Sequence, residues 1–580
     1  VPRAERVRRD ILEDALQFYD GLRNQRPRDP ALRLDVAAAQ VEAGQLLRDL
    51  GRLQAASEAF DVALRMLTEL EGEAKLRARV LHARAAALAE HGRLLELLDR
   101  PQDAASAMRA ALAAAKDCDA SLRATSANKP EEQLADHVLP LLEARIRNNL
   151  VVFEEPPPQQ AHDDLQRVVD LLELAATSQR SRDDAAFASE IALLLGQART
   201  SMGDKLTELG RAAEAERTLQ LARSIIVAER DADRVAWRLP LARADMLLLR
   251  LARRNQASAT SREVALEGVD AARAEVADHP ELVKPRLLLA DILREYGLML
   301  HADGRPLEAI AIHEEEAAMR EQARRDPPDA HEEALRIGTK VNLAQSLAAL
   351  GASRVDDAVT AVTSVIEEAS TLVGKHDESD LAVATAYTTR ATLRGQQQQL
   401  EAACKDFAAA AAIYAALHES KPDYGRYLYY KAFAKHNHGW FLAQAGRLEE
   451  ADPLLEAALR AADRSLTAPR PDLQGRALLA KTIKTLAHAR LSLGRVDDSV
   501  DIVREVAERH PAVTEVQEAA SLVLGFCVDT VSEDAGSART AGARASVLYD
   551  AARYGARARL EADETGDARA VELLRKAIDL

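Results

Sequence analysis

Along nearly the whole chain, apolar residues recur at i, i+3, i+4 and i+7, on both sides of short polar turns. That period is the mark of amphipathic helices joined as hairpins. One pattern repeats: a small residue, seven residues, a Gly-Arg-like turn, then an alanine and spaced apolar positions. It reads GQLLRDLGRLQAASEAFDVAL from Gly44, GDKLTELGRAAEAERTLQLA from Gly203 and GLMLHADGRPLEAIAIHEEE from Gly297. It returns as GWFLAQAGRLEEADPLLEAAL from Gly439, as AHARLSLGRVDDSVDIVREV from Ala487 and as ATLRGQQQQLEAACKDFAAA from Ala391. The turn glycines Gly304 and Gly351 are 47 residues apart, and Gly446 and Gly494 are 48 apart. A glycine in such a turn supplies the left-handed conformation that ends a helix. A glycine inside a first helix costs ~1 kcal/mol against alanine, so Gly44, Gly203, Gly297 and Gly439 predict close approach by a neighbour. Prolines mark the joins: His279-Pro280, Asp326-Pro327-Pro328, Lys421-Pro422 and His510-Pro511. About ten or eleven units fit the chain. One hairpin cannot bury both its faces, so neighbours must stack. The expected fold is all-α: a right-handed superhelical α-solenoid of antiparallel helix pairs with a concave inner surface.

The rhythm divides the chain into N-terminal repeats over 1–116, an irregular helical insertion with a Pro-rich loop over 117–180, a regular array over 181–510, and C-terminal helices with a partial repeat over 511–580. The insertion carries Glu154-Glu155-Pro156-Pro157-Pro158 and one expected helix near 131–151. The partial unit runs from Gly566 to Leu580, and Val1–Arg9 reads as a polar start.

These residues resemble the tetratricopeptide repeat (TPR) family. The match lies in the small residue of the first helix, the turn glycine, the alanine after it, and the large-then-small pair that follows. They are Gly44, Gly51, Ala56, Phe60 and Ala63; Gly203, Gly210, Ala215, Leu219 and Ala222; and Gly439, Gly446, Ala451, Leu455 and Ala458. The departure is length, about 47 residues here against the family's usual 34; the array is similar to the long-helix repeats of actinobacterial type, whose bacterial members often adjoin signalling NTPase or protease-like domains.

Composition agrees with an all-helical chain. Hydrophobic residues make up 47%, mostly Ala and Leu, while aromatics are only 3%. Ala, Leu, Glu and Arg favour helices, and strand formers are sparse. The net charge is −16 and the basic residues are scattered, which disfavours nucleic acid. The three cysteines, Cys118, Cys404 and Cys527, make no pair motif, which fits a cytoplasmic location. No apolar run reaches the ~18 residues of a membrane span. The first residue, Val1, suggests a piece of a longer protein.

Catalytic motifs are missing. There is no phosphate loop: Gly338-Thr339-Lys340 lacks the upstream glycine. There is no His-Glu-x-x-His around His313 or His331, and no Gly-x-Ser-x-Gly elbow. Asp356-Asp357, Glu449-Glu450 and Asp497-Asp498 begin second helices, where acids complement the helix dipole. AKHNHGWFLAQAGRLEEA (434–451) offers His436 and His438. On one helix they point ~200° apart and cannot share a metal. No metal and no cofactor are expected.

The aromatic residues are more telling. Of the chain's two Trp, ten Tyr and eight Phe, seven fall within 424–441. Tyr429, Phe433, His436 and Trp440 form one stripe. In the next unit Lys481, Lys484 and His488 hold the equivalent positions. By the resemblance, Phe433, His436 and Trp440 face the groove and His438 packs inside. Lys484 matches a lysine often used to grip carboxylates, while His488 stands where asparagine is usual, so a standard carboxylate clamp is incomplete. The aromatics also suit plain packing, since Tyr and Trp fill wide gaps well.

The expectation is a non-enzymatic scaffold that binds a protein or peptide segment in the groove, as the sensor or recruitment region of a larger signalling protein. The alternative is a small-ligand or signal-peptide receptor whose superhelix changes pitch; an enzyme on a helical scaffold comes last. Self-association through the ends is open to such an array.

Overall fold

A computed structural model describes residues 29–556, apart from 50–51, 99, 125–137, 155, 231–236, 255–260, 281, 325–329, 370–372, 470, 473 and 531–545. Gly51, Asp326-Pro327-Pro328, Val1–Arg9 and Gly566–Leu580 lie wholly or partly outside these residues. Every regular element among the described residues is helical. The chain forms two compact units, Val1–Glu295 and Tyr296–Leu580. This division falls inside the helix Val283–Ala302.

In the first unit the hairpins are Pro30–Asp49 with Leu53–Glu69, Arg77–Leu97 with Pro101–Ala124, and Leu139–Glu154 with Pro158–Ala176. Ala185–Glu208 with Ala212–Ala228 and Arg238–Arg254 with Ser261–Asp278 complete it. In the second, Pro306–Gln322 is followed by Ala330–Ala348 with Val355–Ala369, Asp377–Gln396 with Leu400–Ser420, and Gly425–Gln444 with Leu448–Thr467. Gly475–Ser492 with Val496–Arg509 comes next, then Thr514–Thr530 and a helix over 546–556. Within each unit, successive hairpins stack in chain order. First helices also touch the next first helix, as Gly425–Gln444 touches Gly475–Ser492. This is an α-solenoid arrangement of helix pairs.

The expected insertion is more regular than its sequence suggested. Pro101–Ala124 continues as helix beyond residue 117, and Leu139–Glu154 pairs with Pro158–Ala176 as an ordinary hairpin. The proline run does not interrupt it, because Pro157 sits just before the second helix and Pro158 inside its first turn, where no backbone donor is lost.

The turns explain the repeated glycines. Gly210, Gly304, Gly446 and Gly494 all hold φ between 71° and 77°, the left-handed region. In the turn where glutamines replace the glycine, Gln398 takes the same conformation at φ 62°, at a steric cost of roughly 1–2 kcal/mol. The helical glycines have a different role. Each receives a side chain from the second helix sixteen positions on. A Cβ at Gly44 would lie 2.7 Å from Phe60, at Gly203 2.5 Å from Leu219, at Gly297 2.6 Å from His313 and at Gly439 2.7 Å from Leu455. Phe60, Leu219 and Leu455 are the large residues of the repeated pattern, and all are fully buried.

Gly395 makes a tighter contact across hairpins: a Cβ there would fall 2.3 Å from the Phe441 ring. Gly395→Ala is therefore expected to destabilise the second unit. Overpacking costs ~1–3 kcal/mol and outweighs the ~1 kcal/mol that alanine returns in helix propensity. A lower denaturant midpoint at unchanged slope would register it.

Candidate functional site

Gly425–Gln444 and Gly475–Ser492 are neighbouring first helices, and neither contains an Asp or Glu. In a chain with 93 acidic residues this leaves the two helices cationic.

Most of the aromatic cluster is packing. The Tyr430 ring stacks on Tyr414 at 5.4 Å, and the Arg426 guanidinium lies 5.5 Å from the Tyr430 ring centre. Arg426 also donates to the Tyr430 hydroxyl at 3.0 Å. Phe441 stacks on Phe407 at 5.8 Å, in the space that Gly395 leaves. His438 stacks on the same Phe407 at 6.2 Å. Burial, then the charges of Arg447 and Lys435, hold His438 below the usual histidine range.

The predicted stripe divides. Tyr429 and Phe433 are half-buried, 6.3 Å apart, and lean on the apolar core shared with Gly475–Ser492. Burial, Tyr430 and Asp472 push the Tyr429 phenol up. Trp440 remains 38% exposed, with its ring edge-on to Phe441 at 4.8 Å.

His436 corrects the expectation. It is fully buried, and its Nδ1 lies 3.1 Å from Oγ1 of Thr482 on the next first helix. The Thr482 hydroxyl spends its proton on the Leu478 carbonyl at 2.7 Å. His436 Nδ1 is therefore the donor to Thr482, and Nε2 is left as an acceptor with no partner. Burial, helped by the Lys481 charge, pushes this imidazole down to about 4. The physical reason is angular. The open arc of this helix runs through Arg426, Phe433, Asn437, Trp440 and Gln444. His436 lies at its edge and falls under the neighbouring helix.

Lys481, Lys484 and His488 are exposed at i, i+3 and i+7 on Gly475–Ser492. Among the described residues none of the three has a carboxylate partner, whereas Lys205, Lys284, Lys340 and Lys421 each pair with one. Asn437, expected with Tyr430 and Phe441 on a different face toward neighbouring helices, is instead half-exposed between Phe433 and Trp440. The absence of acids from both helices was legible in the sequence and would have drawn attention to the pair.

Other chemistry does not converge. No group of three His, Cys, Asp or Glu side chains able to hold a metal occurs among the described residues. Cys118 and Cys527 are buried, which pushes both thiols up to about 11. No helix among the described residues is long and apolar enough to cross a membrane.

Stacked helical hairpins carrying an open cationic and aromatic face make this a helical-repeat protein. No protein-family model matches the chain, and no curated protein matches it. Among solved structures, the chain is similar to BtubC (BKLC) from P. vanneervenii at 18% identity and a TM-score of 0.34, covering 42% of this chain and 89% of that one. It is also similar to the apo form of RapI at 10% identity and a TM-score of 0.37, covering 66% of this chain and 97% of that one.

Proposed function

We propose that this chain is a non-enzymatic binding scaffold of the TPR type, with long helices and a repeat of about 47 residues, serving as the recruitment region of a cytoplasmic signalling protein. Its ligand is a protein or peptide segment held on the open face of Gly425–Gln444 and Gly475–Ser492. The repeat length is supported by successive first helices that begin at Ala330, Asp377 and Gly425. The observation that carries the binding site is an exposed Trp440 together with two lysines that have no carboxylate partner among the described residues, on adjacent acid-free helices. Exposed tryptophans are favoured binding hot spots, and unpaired ammonium groups are free to make charge-assisted hydrogen bonds.

The test replaces Trp440 and Lys484 with alanine and compares captured partners, by pull-down and mass spectrometry, with those of the unaltered chain. Lys484 is exposed and Trp440 touches Phe441 only at its edge, so helicity should stay the same and the unfolding midpoint should fall only by the ~0.5–1.5 kcal/mol of that aromatic contact. Retention of the specific partners should fall at least tenfold, about 1.4 kcal/mol. Equal capture by the double variant would rule out this face.

A further inference from the structure

The arrangement of charge on this face narrows the class of partner. Lys481, Lys484 and His488 lie in one line along one helix, over ~10 Å or two helical turns. Their helix holds no carboxylate, and neither does the first helix before it. His436, expected to add a polar contact from that neighbour, is buried beneath Thr482. The donors are therefore collinear. Gripping a single terminal carboxylate requires donors from several elements meeting at one point, and this line does not supply that. Two lysines about one helical turn apart, with a histidine one turn further on, match carboxylates that are themselves about one turn apart, the spacing that side chains at i, i+3 or i+4, and i+7 have on a helix. On the preceding first helix, which touches Gly475–Ser492, Trp440 keeps an open indole surface suited to an apolar side chain.

We infer that the occupant is an acidic amphipathic helix from inside a partner protein's sequence, lying along Gly475–Ser492 with its carboxylates on Lys481 and Lys484 and one bulky apolar residue on Trp440. This rests on the face proposed above as the binding site. Charge complementarity selects the partner and speeds its encounter. Because the lysines are exposed, their contribution is screened by salt.

Two random peptide libraries presented to the whole chain separate the possibilities. One is displayed within a carrier loop, with no free end; the other ends in a free C-terminus. The loop library should enrich Asp and Glu at three- or four-residue spacing together with a bulky apolar residue. An enriched peptide, synthesised with both ends blocked, should bind at least tenfold more weakly to the Lys481→Glu, Lys484→Glu chain, and more weakly at 300 mM than at 50 mM salt. Trp440→Ala should weaken it too, while the circular dichroism spectrum is unchanged in every variant. No enrichment, no excess of acids, or enrichment from the free-ended library alone would overturn the inference. Peptides without acidic bias that still depend on Trp440 would sink the acidic helix but leave the binding face standing. Enriched peptides indifferent to Trp440→Ala and to the lysine reversals would sink both.

Discussion

Glu90→Gln should destabilise the first unit by about 3–5 kcal/mol, the usual cost of removing one partner from a buried ion pair. Glu90 is almost completely buried on Arg77–Leu97 and pairs with Arg48 of the preceding first helix. Arg93 approaches it at 3.3 Å, and Arg145 of the following first helix at 3.6 Å. Arg145 in turn pairs with Glu190. Alternating charges thus link four successive first helices, and Glu90 is their central anion. Burial works against its charge, but Arg93, Arg48 and Arg145 together hold the carboxyl below its ordinary value. A carboxyl with a depressed folded pKa adds stability above its unfolded pKa of ~4.3. That contribution is lost as pH falls through the folded value. The variant should therefore be much weaker than the unaltered chain at pH 7, with the gap closing in acid. Denaturant unfolding followed by circular dichroism at both pH values measures it; a gap independent of pH would assign the loss to packing instead.

Asp245→Asn is expected to act in the opposite direction. Asp245 is fully buried on Arg238–Arg254. Its Oδ1 accepts from Arg223 Nε at 2.8 Å, but Oδ2 has no partner. Gly268 presses against it, so that a Cβ there would lie 3.1 Å from Oδ2. Burial pushes this carboxyl up to about 7, with Arg223 opposing the rise and the nearby Glu267 adding to it. Here the folded pKa is above the unfolded value of ~3.9. The folded state binds the proton more tightly, so stability is lost as pH rises from ~4 through ~7 and then levels off. Ionisation at pH 8 costs on the order of 4 kcal/mol. Asparagine keeps an acceptor for Arg223, which also pairs with Glu267. The variant should gain roughly 1–3 kcal/mol at pH 8 after the lost charge contact is counted against the relief. Thermal midpoints at pH 5 and pH 8 decide the matter: the unaltered chain should lose stability between them and the variant should hold level. A variant weaker at both pH values would mean that Arg223 keeps the carboxylate ionised.

Both effects come from buried ionisable groups that periodicity does not reveal. Glu90 and Asp245 read in the sequence as ordinary charges on amphipathic helices. Their burial depends on which helix lies across them, and neighbours 22 to 55 residues away decide that. The turn glycines Gly210, Gly304, Gly446 and Gly494, by contrast, were legible, because the left-handed conformation is a local need, whereas Gly92, also expected in a turn, lies inside the helix Arg77–Leu97. Gln398 is the informative exception. Its turn forms without glycine, so the packing of Asp377–Gln396 on Leu400–Ser420 outweighs the local strain.

The candidate face was partly legible for the same reason. Helical spacing correctly set Lys481, Lys484 and His488 on one side of one helix, since ~100° per residue is a property of the backbone alone. It also grouped Tyr429, Phe433, His436 and Trp440, and here it ran out. Two of these are half-buried, one is sealed and one is open.

By itself, the sequence determined the helices, most of their turns, and that a neighbour comes close at the small first-helix residues. These rest on backbone geometry and on contacts inside one hairpin. Only the tertiary structure decided which arc of each helix stays open. That depends on the offset and crossing of the next hairpin, which the side chains of both helices set together through ridge-and-groove packing. His436 lost its place at the surface and Trp440 kept its own because Thr482 arrived over one and nothing among the described residues closed over the other.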